Sequence, residues 1–221
     1  MQNLESLFKF SYLILLMLNF FGISASVFFG AKSFKPIWIY LLVGIICEAF
    51  TELLVRDLIT INGQVTNAPF AHLYIWTQFI VFSYFYYSEQ MSSKMKKRFI
   101  LIFSTFFILA SSPYIFLESN LMTHDPYISL ITMPCVLIFS LIYFVQLLDL
   151  KNGYPFISIG IFIVTGSSLI HMSTGAFYED VDIDIIYLRN TINMLPLIIM
   201  QLLFMYEAYL FFSERKQKLT I

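Results

Sequence analysis

The feature that most constrains this chain is a recurrence of apolar stretches about as long as a bilayer is thick. A spanning helix needs about 20 mainly apolar residues. Seven stretches qualify, near 8–29, 36–58, 68–88, 98–117, 127–149, 155–177 and 186–212. Of the 221 residues, 59% are hydrophobic and 12% charged, and the mean hydropathy is +0.78. Soluble domains are nearer 45–50% apolar and about 25% charged. The reading is an all-α, polytopic membrane protein: one domain over residues 1–221, a bundle of seven transmembrane helices. Pro36, Pro69, Pro126 and Pro155 mark helix starts, where a missing N–H has no partner to lose. Pro113, Pro134 and Pro196 fall inside spans, where proline is tolerated and marks kinks.

Basic residues orient the bundle. Lys32, Lys35, Lys94, Lys96, Lys97, Arg98, Lys151, Arg215, Lys216 and Lys218, ten of the 13 Lys and Arg, fall on one side of the alternation. The other side keeps Lys9, Arg56 and Arg189 and carries the acidic run YEDVDID with Glu179, Asp180, Asp182 and Asp184. By the positive-inside rule the N-terminus is outside and the C-terminus cytoplasmic. The expected location is a cell membrane, taken as a bacterial inner membrane. The first stretch, FSYLILLMLNFFGISAS, is read as an uncleaved helix because Glu5 beside Lys9 leaves no basic excess ahead of it.

Several classes fall away. A net charge of −1 without a basic patch implies no nucleic-acid partner. Cys47 and Cys135 lie in apolar runs and are read as buried free thiols. The loops, about ten residues at most, are too short for a soluble catalytic module. No residue pattern requires a cofactor.

The spans are not uniformly apolar. CEAFTELLVRD places Glu48, Glu52 and Arg56 at four-residue spacing in the second stretch, so they share approximately one helix face. Asn67, Tyr74 and Gln78 form one stripe of the third stretch, with His72 and Trp76 beside it. The sixth brings His171 above Ser167, and the seventh opens with Arg189, Asn190 and Asn193. A charge at mid-membrane costs about 3 kcal/mol on insertion scales. Such groups face the bundle interior or a wet cavity because lipid cannot pair them. All lie in the outer half by the orientation above. The expectation is an outward-facing polar cavity between helices two, three, six and seven, lined by Glu48, Glu52, Asn67, His72, Gln78, His171, Arg189, Asn190 and Asn193. Helices one and four carry little polarity and are expected to face lipid.

Each residue also has a structural reading. Glu52 and Arg56 can be an intrahelical ion pair. Glu48 needs a partner among His72, Gln78, Asn193 and Arg189. His171 shares a stripe with Gly160, Ser167 and Gly175 and reads as a packed histidine bonded to a carbonyl. Asn193 can repair the carbonyl of Ile192 that Pro196 leaves unpaired. FSYFYY (82–87) reads as an inner aromatic belt, and Glu207 as a partner for the basic rim around SSKMKKR.

Seven helices with the N-terminus outside are also the plan of retinal proteins and G-protein-coupled receptors. Helix seven, however, lacks a lysine for a Schiff base, and helix three ends in YFYYSEQ rather than an acidic-Arg-Tyr triplet. The zinc site of alkaline ceramidases and adiponectin receptors needs two histidines on the last helix, which has none. The functional expectation is a receptor or sensor that binds a small polar or lipid-derived ligand and signals through a separate cytoplasmic protein at the basic rim. The alternatives are a lipid hydrolase, with His72, His171, Glu48 and Glu52 as zinc ligands, and a small proton-coupled carrier centred on Glu48.

Overall fold

The computed structural model describes residues 2–56, 58–61, 63–89, 92–116, 121–122, 126–148, 153–174 and 183–219. Among them are seven α-helices: α1 (Gln2–Phe28), α2 (Lys35–Val55), α3 (Ala68–Ser88), α4 (Ser93–Phe116), α5 (Pro126–Leu147), α6 (Pro155–Thr174) and α7 (Ile183–Leu219). A short 3-10 turn, Lys32–Phe34, joins α1 to α2. The expected segments therefore all form helices, and the differences are at the ends. The basic stretch SSKMKKR is not a loop: from Ser93 onward it is the first turns of α4, since Lys, Met and Arg are good helix formers. The last helix runs 37 residues and carries its basic tail as helix to Leu219.

Local chemistry places the boundaries. α1 ends at Gly30, whose φ of 101° is open to glycine. The Ala31 N–H donates to the Ser26 carbonyl at 2.9 Å and the Gly30 N–H to that of Val27 at 3.0 Å, the paired bonds of a Schellman end. Pro36 and Pro69 stand in the first turns of α2 and α3, and Pro126 and Pro155 open α5 and α6.

Six of the helices are long and apolar enough to cross a membrane by length and composition. α3 falls short because Tyr74, Tyr84, Tyr86, Tyr87 and Trp76 carry polar atoms and it holds His72 and Gln78 as well. Its position explains why it tolerates polarity. α3 packs between α2 and α5 and buries Phe79, Phe82, Phe85 and Tyr86 completely.

The helices close into a ring in the order α1, α2, α3, α5, α6, α7, with α7 returning to α1 and α4 outside against α5. The expectation for α4 agrees with this. Leu101, Ile108 and Ile115, seven residues apart, are 69%, 67% and 70% exposed, a stripe suited to lipid. The expectation for α1 does not. Tyr12, Leu16, Asn19, Ile23 and Ser26 are buried at alternating spacings of four and three, an inward seam. Asn19 lies on that seam. Its side-chain amide donates to the Gln201 carbonyl of α7 at 2.7 Å and to Gln201 Oε1 at 2.9 Å. α6 and α7 approach closely at Gly160, where an added Cβ would lie 3.3 Å from Met200 Cα.

Two polar features of the basic half differ from expectation. FSYFYY is not simply a belt: Phe82, Phe85 and Tyr86 are fully buried. Tyr86 Oη accepts from Ser140 Oγ at 2.8 Å and pairs with Ser158 Oγ at 3.1 Å, joining α3, α5 and α6. Glu207 is not a rim partner either. It is 6% exposed, and its Oε2 accepts from the Phe156 N–H at 2.8 Å and the Ile157 N–H at 3.2 Å. A carboxylate on α7 thus caps the positive end of α6.

Candidate functional site

A cavity of about 250 Å³ lies among α3, α5, α6 and α7. Each helix contributes residues from the half of the bundle that the charge pattern places outside. α3 supplies Ala71, Tyr74, Ile75 and Gln78; α5 supplies Ser129 and Met133. α6 supplies Val164, Ser167, Ser168, His171 and Met172, and α7 supplies Asn193, Pro196 and Leu197. The space exists because small side chains line it where the helices would otherwise interlock.

Its described polar groups are amides, hydroxyls and one imidazole. Gln78 and Ser129 are 3% and 1% exposed. The Asn193 amide nitrogen lies 2.5 Å from His171 Nδ1, so two expected site residues meet directly. Among the described residues the Ser129 hydroxyl has no hydrogen-bond partner. Helical hydroxyls normally bond the carbonyl four residues back, as Thr132 does to Ile128 at 2.8 Å and Ser140 to Val136 at 3.0 Å. Ser129 stands in the first turn of α5, where no carbonyl of its own helix lies four behind. A buried hydroxyl without a partner costs about 1–3 kcal/mol, so this cavity carries an unmet polar demand.

The acidic cluster of α2 lies elsewhere. α2 is separated from α7 by α1, so the expected four-helix arrangement has α5 in place of α2. Glu52 pairs with Lys9 Nζ of α1 at 3.0 Å and with Arg56 at 3.0 Å. The expected intrahelical pair is present, joined by a cation on the helix expected to be peripheral. Glu48 is partly buried, and its charged neighbours among the described residues are Lys9 and Glu52; the Arg189 side chain expected as a partner lies outside the described residues. Glu48 also acts electrostatically on Tyr12, Tyr40 and Cys47.

Those tyrosines form a bridge to the cavity. Tyr40 of α2 and Tyr74 of α3 share a hydroxyl–hydroxyl bond. Tyr12 of α1 stands beside Tyr74, and Gln78 beside Tyr40. Gly44 leaves room for the Tyr74 ring, whose edge would lie 3.6 Å from an added Cβ. Tyr74 and Gln78 line the cavity as well, so the Tyr40–Tyr74 bond joins its wall to the neighbourhood of Glu48.

The other expected residues are dispersed. His72 is 3% exposed and meets Tyr114 Oη of α4 at 3.2 Å. Asn67 precedes α3, its carbonyl accepting from the Phe70 and Ala71 N–H groups at 3.0 Å. The side chains of Arg189 and Asn190 lie outside the described residues. His72, His171, Glu48 and Glu52 are not brought together: the histidines meet different helices and Glu52 is held by Lys9. Among the described residues no three His, Cys, Asp or Glu side chains are grouped to hold a metal.

Sequence reasoning missed Lys9, the tyrosine bridge and Ser129. The inward seam of α1 was the available signal for the first two, since it places Lys9 and Tyr12 against α2. For Ser129 the signal was a serine three residues after a helix-opening proline.

Fold and site together define a multi-pass helical membrane protein, a ring of six helices with a seventh outside and a small polar cavity in one half. No protein-family model, curated protein or solved structure matches the chain.

Proposed function

We propose that the protein is a membrane receptor that binds a small, uncharged or zwitterionic polar ligand in the cavity among α3, α5, α6 and α7. The observation that carries the reading is the Ser129 hydroxyl, buried without a partner in a cavity also lined by Gln78, His171 and Asn193. Drug-sized sites span about 300–1,000 Å³, so a cavity of about 250 Å³ fits a ligand of amino-acid size. Among the described residues no Lys, Arg, Asp or Glu side chain lines it, and Glu48 and Glu52 lie outside it, which argues against the ionic recognition expected of those two. Binding tightens the wall formed by Gln78 and Tyr74, and α7 carries the change from Asn193 past Pro196 to its basic end. A separate cytoplasmic protein reads that end, in an outward-facing arrangement in the cell membrane.

The test compares small molecules released from the purified parent and from Ser129→Leu and Asn193→Leu by mass spectrometry. The parent is expected to release a polar compound that both variants lack while still inserting and purifying as folded protein. Identical profiles from all three would remove the cavity from consideration as a ligand site. The Tyr40–Tyr74 hydroxyl pair, standing between the neighbourhood of Glu48 and the cavity wall, supports a second reading, a proton-coupled carrier. Proton flux into liposomes that persists in Glu48→Gln would dismiss it.

A further inference from the structure

A second concavity, independent of the receptor reading, lies at the opposite half of the bundle. α4 packs on α5 and barely meets α3. The two helices are joined at one level, where Phe103 stacks on Phe79 with ring centres 4.9 Å apart and Trp76 meets Phe107 at 5.3 Å. Toward the basic end they diverge. A lateral groove of about 280 Å³ opens there, lined by Ile80, Ser83, Tyr87, Phe99, Phe103 and Phe139 among others.

Three observations indicate what occupies it. The groove is apolar and flanked by exposed Ile100 and Leu101, so it faces the hydrocarbon. Within it the Ser83 hydroxyl is buried, the residue only 4% exposed, without a hydrogen-bond partner. At its mouth stands a concentration of positive charge: Lys94, Lys96, Lys97 and Arg98 occupy the first turns of α4, whose free N–H groups add the positive end of the helix dipole. Lys96 Nζ lies 5.4 Å from the ring centre of Tyr87, itself part of the groove wall. Glu89, just past the end of α3, has the Ser33 hydroxyl beside it, with burial raising its carboxyl above the ordinary range and that hydroxyl opposing.

We infer that this groove is a binding site for one anionic phospholipid, its acyl chain between α3 and α4, an ester carbonyl on the Ser83 hydroxyl and its phosphate at the Lys96 cluster. The ordering matches the lipid: phosphate at the interface, glycerol esters deeper, acyl chain deepest. Charge complementarity selects phosphatidylglycerol over a zwitterionic lipid. The Ser83 hydroxyl supplies a buried, unpartnered donor that a lipid ester carbonyl can satisfy by accepting its hydrogen bond.

Native mass spectrometry of the full chain, titrated in detergent with phosphatidylglycerol or phosphatidylcholine, tests this. The parent is expected to retain one phosphatidylglycerol in preference to phosphatidylcholine. Lys96→Gln with Lys97→Gln, both at the interface and harmless to the fold, should weaken retention about fivefold per lysine removed. Ser83→Leu, which fills the groove, should abolish retention without changing the charge. Equal retention of the two lipids, or an unchanged affinity in the double lysine variant, would overturn the site. In a parallel thermal-unfolding series phosphatidylglycerol should stabilise the parent and inorganic phosphate at equal concentration should not. Stabilisation by inorganic phosphate alone would show an anion site without an acyl groove, and the inference would fall.

Discussion

Glu207 makes the sharpest test of the packing. An α-helix begins with N–H groups that have no intrahelical acceptor, and the start of α6 is enclosed by α5 and α7. Pro155 brings no N–H, Ser158 donates to the Tyr154 carbonyl at 3.2 Å, and the Phe156 and Ile157 N–H groups go to Glu207 Oε2 at 2.8 and 3.2 Å. Glu207→Met keeps the side-chain length and removes the acceptor. It strands two donors, at about 1–3 kcal/mol each, for an expected loss of about 2–5 kcal/mol. Glu207→Gln keeps an amide oxygen for both N–H groups and forfeits mainly the attraction between carboxylate and helix dipole, about 1 kcal/mol. Thermal unfolding in detergent should therefore rank parent, Gln and Met in falling order. Amide hydrogen exchange at Phe156 and Ile157 should accelerate in the Met variant alone. Equal melting of the Gln and Met variants, or unchanged exchange at those two amides, would refute the capping argument.

Two further tests address packing and orientation. Gly160→Ala pushes a methyl to 3.1 Å from Met200 Cγ and 3.3 Å from its backbone Cα, and should destabilise by about 1–3 kcal/mol. Gly22→Ala meets nothing within 4 Å and should raise stability by about 0.5–1 kcal/mol; thermal unfolding of the two variants should move in opposite directions. Orientation is read by single cysteines added at the exposed positions Gln64 and Lys94, since Cys47 and Cys135, 6% and 0% exposed, stay unlabelled in the native protein. A membrane-impermeant maleimide should label Gln64→Cys but not Lys94→Cys in intact cells. The reverse pattern would invert the topology.

How much the sequence revealed follows from what a helical pattern encodes. Length and hydropathy located all seven helices, and prolines placed the starts of α2, α3, α5 and α6 closely, because both signals are local. Part of the grouping was legible too: Gln78, His171 and Asn193 were expected around one cavity, and all three line one. Azimuth was not. Glu48 and Glu52 share a depth with His171, but which neighbour they face depends on the order of helices around the ring, a long-range property. Reading α1 as peripheral removed Lys9 from consideration, although its buried positions alternate at spacings of four and three. Glu207 illustrates the same limit. Its position near the basic end was correct, but nothing in its own helix shows that the next helix needs an acceptor there.

The pairing of the first helix with the last has a bearing on synthesis. Asn19 and Gln201 are 182 residues apart, and at about 5–20 residues per second the ribosome needs on the order of ten to forty seconds to supply the second after the first. Through that interval the α1 seam has no α7 to cover it, and the ring is an open crescent with an amide on its free edge. Completion is therefore set by arrival of the final helix rather than by the pace of each insertion. A chain stalled before α7 presents that uncovered amide as a mark of incompleteness.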